Sequence, residues 1–195
     1  MILLVGLGNP GKKFANTRHN VGFDFLDHLY KLGNFSPWQE KKRLKSVVSH
    51  GLLFKKEVIL AKPQTFMNNS GTAVLKLLRF HKVPLSHLWI VHDDIDLLLG
   101  SFRIVKNRGA AGHNGVKSII QFLGNKNFTR FRVGIQPKKF PKNYDRKVFV
   151  LEKFTKKEQK VLEKVKKDFA KATKMALQND IQKAMTEFNK KRSAA

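Results

Sequence analysis

Three short runs of unbroken apolar residues set the terms for this chain. They are Ile2-Leu3-Leu4-Val5, the Val58-Ile59-Leu60-Ala61 centre of residues 57–62, and Leu88-Trp89-Ile90-Val91. Each is too short for a buried helix and lacks the in-out alternation of a strand with one wet face. Each therefore reads as a strand buried on both sides, as in a parallel or mixed sheet held between helices. Helical spacing fills the intervals. Val21, Phe25, Leu26, Leu29, Tyr30 and Leu32 form such a pattern and stop at Gly33. Val74, Leu75, Leu77, Leu78 and Phe80 place a helix over 73–81, and Ile119, Ile120 and Leu123 place another over 116–123. The alternation predicts an α/β fold: a single domain over residues 1–190, with one twisted mixed sheet, mostly parallel, flanked by helices on both faces.

Further strands are expected at 46–54, on the outside of the sheet, and at 102–105 and 131–135. Residues 136–147, rich in proline and lysine, read as a mobile connection. Thr155-Lys156-Lys157-Glu158 is a capping-box start for a helix that carries Val161, Leu162, Val165, Phe169 and Ala172. A last helix over about 174–189 uses Met175, Ile181, Met185 and Phe188, and 191–195 read as a disordered tail.

Charge narrows the function. Thirty-nine Lys and Arg against 14 Asp and Glu give a net charge of +25, which calls for a polyanionic partner, nucleic acid first and an anionic membrane surface second. A merely solvated basic surface is the plain alternative. The absence of cysteine excludes disulfides and thiol catalysis. No stretch approaches the ~20 apolar residues of a membrane span. The apolar run at residue 2 leaves no basic segment ahead of it for a signal peptide. The expectation is a soluble, cytoplasmic protein with no membrane partner.

The first strand runs into Gly6-Leu7-Gly8-Asn9-Pro10-Gly11, which has the letters of a dinucleotide-binding loop. That loop works when a helix opens inside it and aims its N-terminus at a pyrophosphate. Here Pro10 and about nine mostly polar residues intervene, and the acidic residue expected ~20 residues on is missing. Nicotinamide binding is therefore not expected. Asn9, Asn68 and Asp93 point elsewhere. Each falls just past an apolar strand, where the carboxyl ends of parallel strands open a ligand crevice. His19 and the His113-Asn114 pair lie in loops that can close it. Any one of these residues could be an ordinary turn or cap; that reading strains to cover all of them. A histidine backed by a carboxylate can take a proton from water, and asparagine amides can hold a carbonyl or stabilise an oxyanion. There is no Gly-x-Ser-x-Gly elbow for an acyl-enzyme. His92, Asp93, Asp94, Asp96 and His113 lack a diagnostic metal spacing, so no metal and no cofactor is expected.

These segments together resemble the bacterial-type peptidyl-tRNA hydrolase family. The resemblance rests on Gly6-Leu-Gly-Asn-Pro-Gly11 followed by Thr17-Arg-His-Asn-Val-Gly22, on Lys62-Pro-Gln-Thr-Phe-Met-Asn-Asn-Ser-Gly71, on His92-Asp-Asp-Ile-Asp-Leu97 and on Gly112-His-Asn-Gly115, in the family's order. It implies hydrolysis of the ester between a peptide and the 3′ ribose of its tRNA, recycling the tRNA, by a cofactor-free monomer whose partner is peptidyl-tRNA. By the same resemblance His19 is the catalytic base and Asp93 the carboxylate that keeps it basic. Asn9 helps distinguish a blocked amino group from a free one. Phe66, Met67, Asn68 and Asn114 contact substrate, with His113 beside them. Arg132, with Arg103, Lys106 and Arg108, falls where tRNA phosphates are held. Phe14 stands where the family commonly has tyrosine, which leaves stacking and removes a hydroxyl. The loop 107–112 is less glycine-rich than usual. The lysines after Thr155 read as a solvated face. The competing reading is a non-catalytic RNA-binding protein on the same fold.

Overall fold

The computed structural model describes residues 1–140 and 144–190. The elements run β1 (Ile2–Gly6), α1 (Val21–Tyr30), β2 (Asn34–Phe35), β3 (Gln39–Lys41), β4 (Ser46–Leu53), β5 (Lys56–Pro63) and α2 (Ser70–His81). There follow β6 (Leu88–Leu98), β7 (Phe102–Lys106), α3 (Asn114–Leu123), β8 (Thr129–Gln136), α4 (Arg146–Phe149), α5 (Lys156–Gln178) and α6 (Ile181–Lys190). The strands form one sheet in the order β2-β4-β5-β1-β6-β8-β7, with β3 paired to β4.

The three apolar runs are the centre of this sheet. β1 pairs in parallel with both β5 and β6, and β6 pairs in parallel with β8. The margins are antiparallel: β4 with β5, β2 and β3 with β4, and β7 with β8. The sheet is mixed as expected, but antiparallel pairs are the majority. Tight connections join β3 to β4 and β4 to β5, whereas β7 reaches its antiparallel neighbour β8 through α3. Leu4 faces one layer, with Phe25, Leu26, Phe131, Val165 and Phe169 from the α1, α5 and α6 side. Leu3 and Val5 face the other, with Val74, Leu77, Val116 and Ile119 from α2 and α3. Alternate residues of one strand thus feed two cores.

Two glycines fix how the first loop leaves the sheet. A Cβ at Gly22 would stand 2.4 Å from the Leu7 nitrogen and 2.5 Å from the Val91 oxygen, and one at Gly6 would stand 2.3 Å from the Gly22 oxygen. Helix α1 therefore lies directly on the ends of β1 and β6. Among the glycines of the loop that resembles a dinucleotide cradle, only Gly11 has a positive φ, at 100°. Two short turns, at Lys12–Phe14 and Arg18–Asn20, separate that loop from α1.

Three expectations change. β6 does not stop at Val91 but continues to Leu98, because β8 goes on pairing with it through Asp93 and Asp94. Asp93 is therefore inside a strand. The 136–147 connection is not uniformly loop: Tyr144 bonds to Glu152, and α4 opens at Arg146 with an Asp145 cap. Residues 141–143 of that stretch, and the tail at 191–195, lie outside the described residues. The break between the last two helices falls at Asn179–Asp180, because Ala172, Thr173 and Ala176 carry the buried face of α5 onward to Gln178. The capping box at Thr155 and Glu158 is present in full.

Candidate active site

The carboxyl ends of the parallel strands converge on a cavity of about 390 Å³. Asn9 reaches it from the loop after β1, Phe66, Met67 and Asn68 from the turn after β5, and Asp93 from β6. His113 and Asn114 reach it from the start of α3, and His19 from the turn before α1. Eight of the residues expected at the site thus line one cavity. Phe14 stands at its edge, its ring 6.3 Å from that of Phe66 in an edge-on contact. Arg132 lines a neighbouring cavity instead.

His19 is tightly placed. Its backbone N–H donates to the Val150 carbonyl at 2.7 Å, and that of Arg18 donates to the Glu152 carbonyl at 2.9 Å. The buried Arg18 guanidinium donates to the Lys153 carbonyl at 3.0 Å and to Glu158 at 2.9 Å, and lies 4.2 Å over the Phe149 ring. This staple ties the histidine's turn to the segment that carries α4. Arg18 lies within the Thr17–Gly22 motif, but only its burial and its partners show what it does.

The histidine Nδ1 stands 2.9 Å from both carboxylate oxygens of Asp93, which is 2% exposed. A carboxylate only accepts, so Nδ1 carries the proton. Nε2 is left with a lone pair, as a general base requires. Burial works against the charged ring, but the charge of Asp93 and its hydrogen bond outweigh it and raise the His19 pKa above 6.5. Asp93 is held well below the usual carboxylate range: burial alone would raise it, and the two neighbouring imidazoles overcome that.

The second imidazole is His113. Its Nδ1 accepts the Val116 backbone N–H at 3.2 Å, so its proton sits on Nε2 and is donated to Asp93 Oδ1 at 2.9 Å. His113 was expected to touch substrate; its side chain is 7% exposed and spends its polar atoms on the carboxylate and the α3 cap. His92 is packed edge-on against it, with ring centroids 4.6 Å apart, and is kept neutral above all by burial. Among the described residues one group could offer three atoms to a metal, namely His19, Asp93 and His113, within 4.8 Å of one another. Both facing ring nitrogens carry their protons toward the carboxylate, so an ion would have to displace both. The donor set reads as a hydrogen-bonded carboxylate.

Asn9 is oriented with equal definition. Its side-chain oxygen accepts the Met67 backbone N–H at 2.8 Å. Asn20 grips the Asn9 peptide from both sides, accepting its N–H and donating to its carbonyl, each at 2.9 Å. The Asn9 amide NH₂ is thus the group left to face the cavity. Gly115 lets Met67 approach, since a Cβ there would stand 2.4 Å from the Met67 sulfur. Asn68 and Asn114 are exposed on the rim, and Phe66 is 59% exposed.

Sequence reasoning missed one wall. Arg146, Lys147, Val150 and Leu151 close the cavity opposite Asn9, with Ile95. A proline- and lysine-rich stretch carries no periodic signal, and its ordering depends on the distant Arg18 staple. The neighbouring cavity, about 590 Å³, is lined by Arg103, Lys106, Arg108, Arg130 and Arg132 and shares Ala111 with the first. Arg130 was not anticipated. It is 1% exposed and donates to the Arg108 and Gly109 carbonyls at 2.9 and 2.8 Å. Burial and the adjacent Arg132 lower its pKa to about 10, which leaves it charged at neutral pH. Arg132 is paired to Asp94 at 2.5 Å. Ala111 in the dividing loop holds φ 47°, a conformation that glycine adopts at less strain.

A family model described as peptidyl-tRNA hydrolase matches residues 3–195. The peptidyl-tRNA hydrolase of Carboxydothermus hydrogenoformans is 43% identical over 190 residues, spanning 97% of this chain and 99% of that protein. That of Clostridium perfringens is 42% identical over 190 residues, spanning 97% of each. Among solved structures, a peptidyl-tRNA hydrolase from Acinetobacter baumannii superposes with a TM-score of 0.89 at 30% identity, over 97% of this chain and 95% of that one.

Proposed function

We propose how a chain that belongs to the peptidyl-tRNA hydrolase family, as this one does, performs the hydrolysis of peptidyl-tRNA: His19 is the general base. Its Nε2 takes a proton from water, which attacks the ester carbonyl joining the peptide to the 3′ ribose. Asp93 fixes the tautomer and stabilises the imidazolium that forms. Asn9, with its NH₂ turned to the cavity, donates to the carbonyl as charge develops on it. As the reaction proceeds, the proton on His19 passes to the leaving ribose oxygen, and the base is restored.

The observation that carries this reading is the fixed proton on His19 Nδ1, bonded to a carboxylate that is bonded in turn to a second imidazole of defined tautomer. A binding protein without chemistry has no use for such a relay, so the non-catalytic alternative finds no support. Phe66, Asn68 and Asn114 on the rim receive the acceptor end, with Phe14 stacking beside Phe66. The apolar wall of Ile95, Val150 and Leu151 takes the peptide without demanding a particular side chain. The cavity of Arg103, Lys106, Arg108 and Arg132 takes phosphates, which accounts for part of the +25 charge. We also infer that the chain acts as one domain, as a monomer and in the cytoplasm. No helix among the described residues is long and apolar enough to cross a membrane.

The test is His19→Ala on an N-blocked aminoacyl-tRNA. Hydrolysis is expected to fall by at least about 10³-fold with binding retained. Turnover within tenfold of the parent would overturn the assignment.

A further inference from the structure

The relay leaves one buried histidine without a task. His92 is 1% exposed and lies in the middle of β6. It shares a face of that strand with Ile90, which belongs to the core layer of Val116 and Ile119. On β8 the register sets Arg130 beside Ile90 and Arg132 beside His92. The His92 Nδ1 lies 2.6 Å from the backbone carbonyl of Asp93. A carbonyl only accepts, so Nδ1 carries the proton and Nε2 holds a lone pair. That Nε2 is buried and has no hydrogen-bond partner among the described residues. For stability alone this is a poor choice, because an apolar side chain of the same shape would leave no acceptor unpaired.

What the ring touches is His113. The two meet at 67° with centroids 4.6 Å apart, and the His113 ring is also 5.0 Å from that of His19. His113 needs such support. Its Nδ1 accepts the Val116 N–H at 3.2 Å, the long end of the range, so the helix cap alone holds the ring loosely. Its Nε2–H must nevertheless meet Asp93 Oδ1 at 2.9 Å, while His19 Nδ1 keeps its own 2.9 Å contact with the same oxygen. The His92 ring is locked from below by its Nδ1 bond and kept neutral by burial, so it offers His113 a wall and no charge. Arg130 completes the setting from β8. It donates to the Arg108 and Gly109 carbonyls and so holds the loop that leads into His113.

We propose that His92 is a positioning residue: its ring sets the angle of the His113 imidazole, which in turn holds the Asp93 carboxylate square to His19. Its bearing on turnover rests on the peptidyl-tRNA hydrolase reading. His92 does not line the catalytic cavity, so its contribution lies in kcat and not in KM.

The test is a double-mutant cycle with a rescue. H92N keeps an N–H where Nδ1 stood and removes the rest of the ring. H113N keeps an acceptor for the Val116 N–H, as a helix cap, and removes the donor to Asp93. H92F restores an aromatic ring. On N-blocked aminoacyl-tRNA, H92N is expected to lower kcat about tenfold with KM unchanged. The acid limb of its pH profile should move to higher pH, because a carboxylate that has lost the His113 donor holds the His19 proton more tightly. On the H113N background, H92N should change kcat by less than about twofold. H92F should keep kcat within about threefold of the parent. Spectra of ¹⁵N-labelled histidine should show a defined Nε2–H tautomer for His113 in the parent and its loss in H92N. That signal is read without turnover: a parent that does not hydrolyse the substrate would remove the hydrolase reading, and the spectra would still decide whether His92 sets the ring. Thermal melting shows which variants are folded; should H92F not be, H92N and its cycle decide. Parental kcat and acid limb in H92N, an equal loss on both backgrounds, or a His113 signal indifferent to H92N overturns the proposal. So does a loss that a folded H92F shares in full.

Discussion

Asp93→Asn tests the relay most directly, because the structure dictates how the amide must sit. His113 is committed to donating from Nε2, since its Nδ1 is occupied by the Val116 N–H. The atom at the Oδ1 position must therefore remain an acceptor, which forces the new NH₂ into the Oδ2 position. That position is 2.9 Å from His19 Nδ1. His19 Nδ1 is equally 2.9 Å from the retained oxygen, but that single acceptor must then serve His113 as well while the new NH₂ opposes the Nδ1 proton, a conflict relieved when His19 moves its proton to Nε2. The lone pair then points at the introduced amide and away from water. Loss of the base tautomer in a buried histidine–carboxylate pair lowers kcat by about 10³- to 10⁴-fold, or roughly 4 to 5.5 kcal/mol in the barrier. The pH profile should change as well. With the carboxylate present, the acid limb lies above pH 6.5, because the Asp93 charge outweighs burial. With the charge gone, burial remains and lowers the His19 pKa, so the limb should move below 6.5. Initial rates on N-blocked aminoacyl-tRNA between about pH 5 and 9 give both quantities. A loss under tenfold, or a limb that does not move to lower pH, would refute the reasoning.

Three further outcomes follow from the geometry. Asn9→Asp keeps the acceptor for the Met67 N–H but replaces the NH₂ donor with an oxygen; kcat should fall about 10²- to 10³-fold with little change in melting temperature, and a loss under threefold would remove Asn9 from the chemistry. Gly22→Ala drives a methyl into the backbone of Leu7 and Val91; denaturant unfolding should show a loss of about 3 kcal/mol or more, and the displaced His19 turn should lower kcat in whatever protein remains folded. Asp24 is raised from 3.8 to about 6, by burial first. A buried acid of this kind destabilises the fold above about pH 6 and has no such effect below about pH 4, where it is neutral in both states. Asp24→Asn should therefore add about 1–2 kcal/mol at pH 8, after discounting for partial exposure, and nothing at pH 4; an equal gain at both would point to packing instead.

The sequence alone determined the centre of this protein. Short unbroken apolar runs alternating with helical patterns read as parallel strands buried on both faces, whose carboxyl ends gather at one edge of the sheet, so Asn9, Phe66–Asn68 and Asp93 are legible as neighbours from the residues themselves. The spacing of Thr155 and Glu158 likewise marks a helix start, because capping is a local hydrogen-bond exchange. What periodicity could not reach was decided by long-range contacts. β6 extends through Asp93, Asp94 and Asp96 because β8 pairs with it. The wall at 146–151 is ordered by Arg18, far earlier in the chain. His113 supports the carboxylate, because the first turn of α3 supplies the N–H that sets its tautomer. Local patterns carry propensity and burial; the direction of a proton along a chain of side chains depends on which atoms the tertiary fold brings within about 3 Å, and the sequence does not encode that distance in any residue's neighbours.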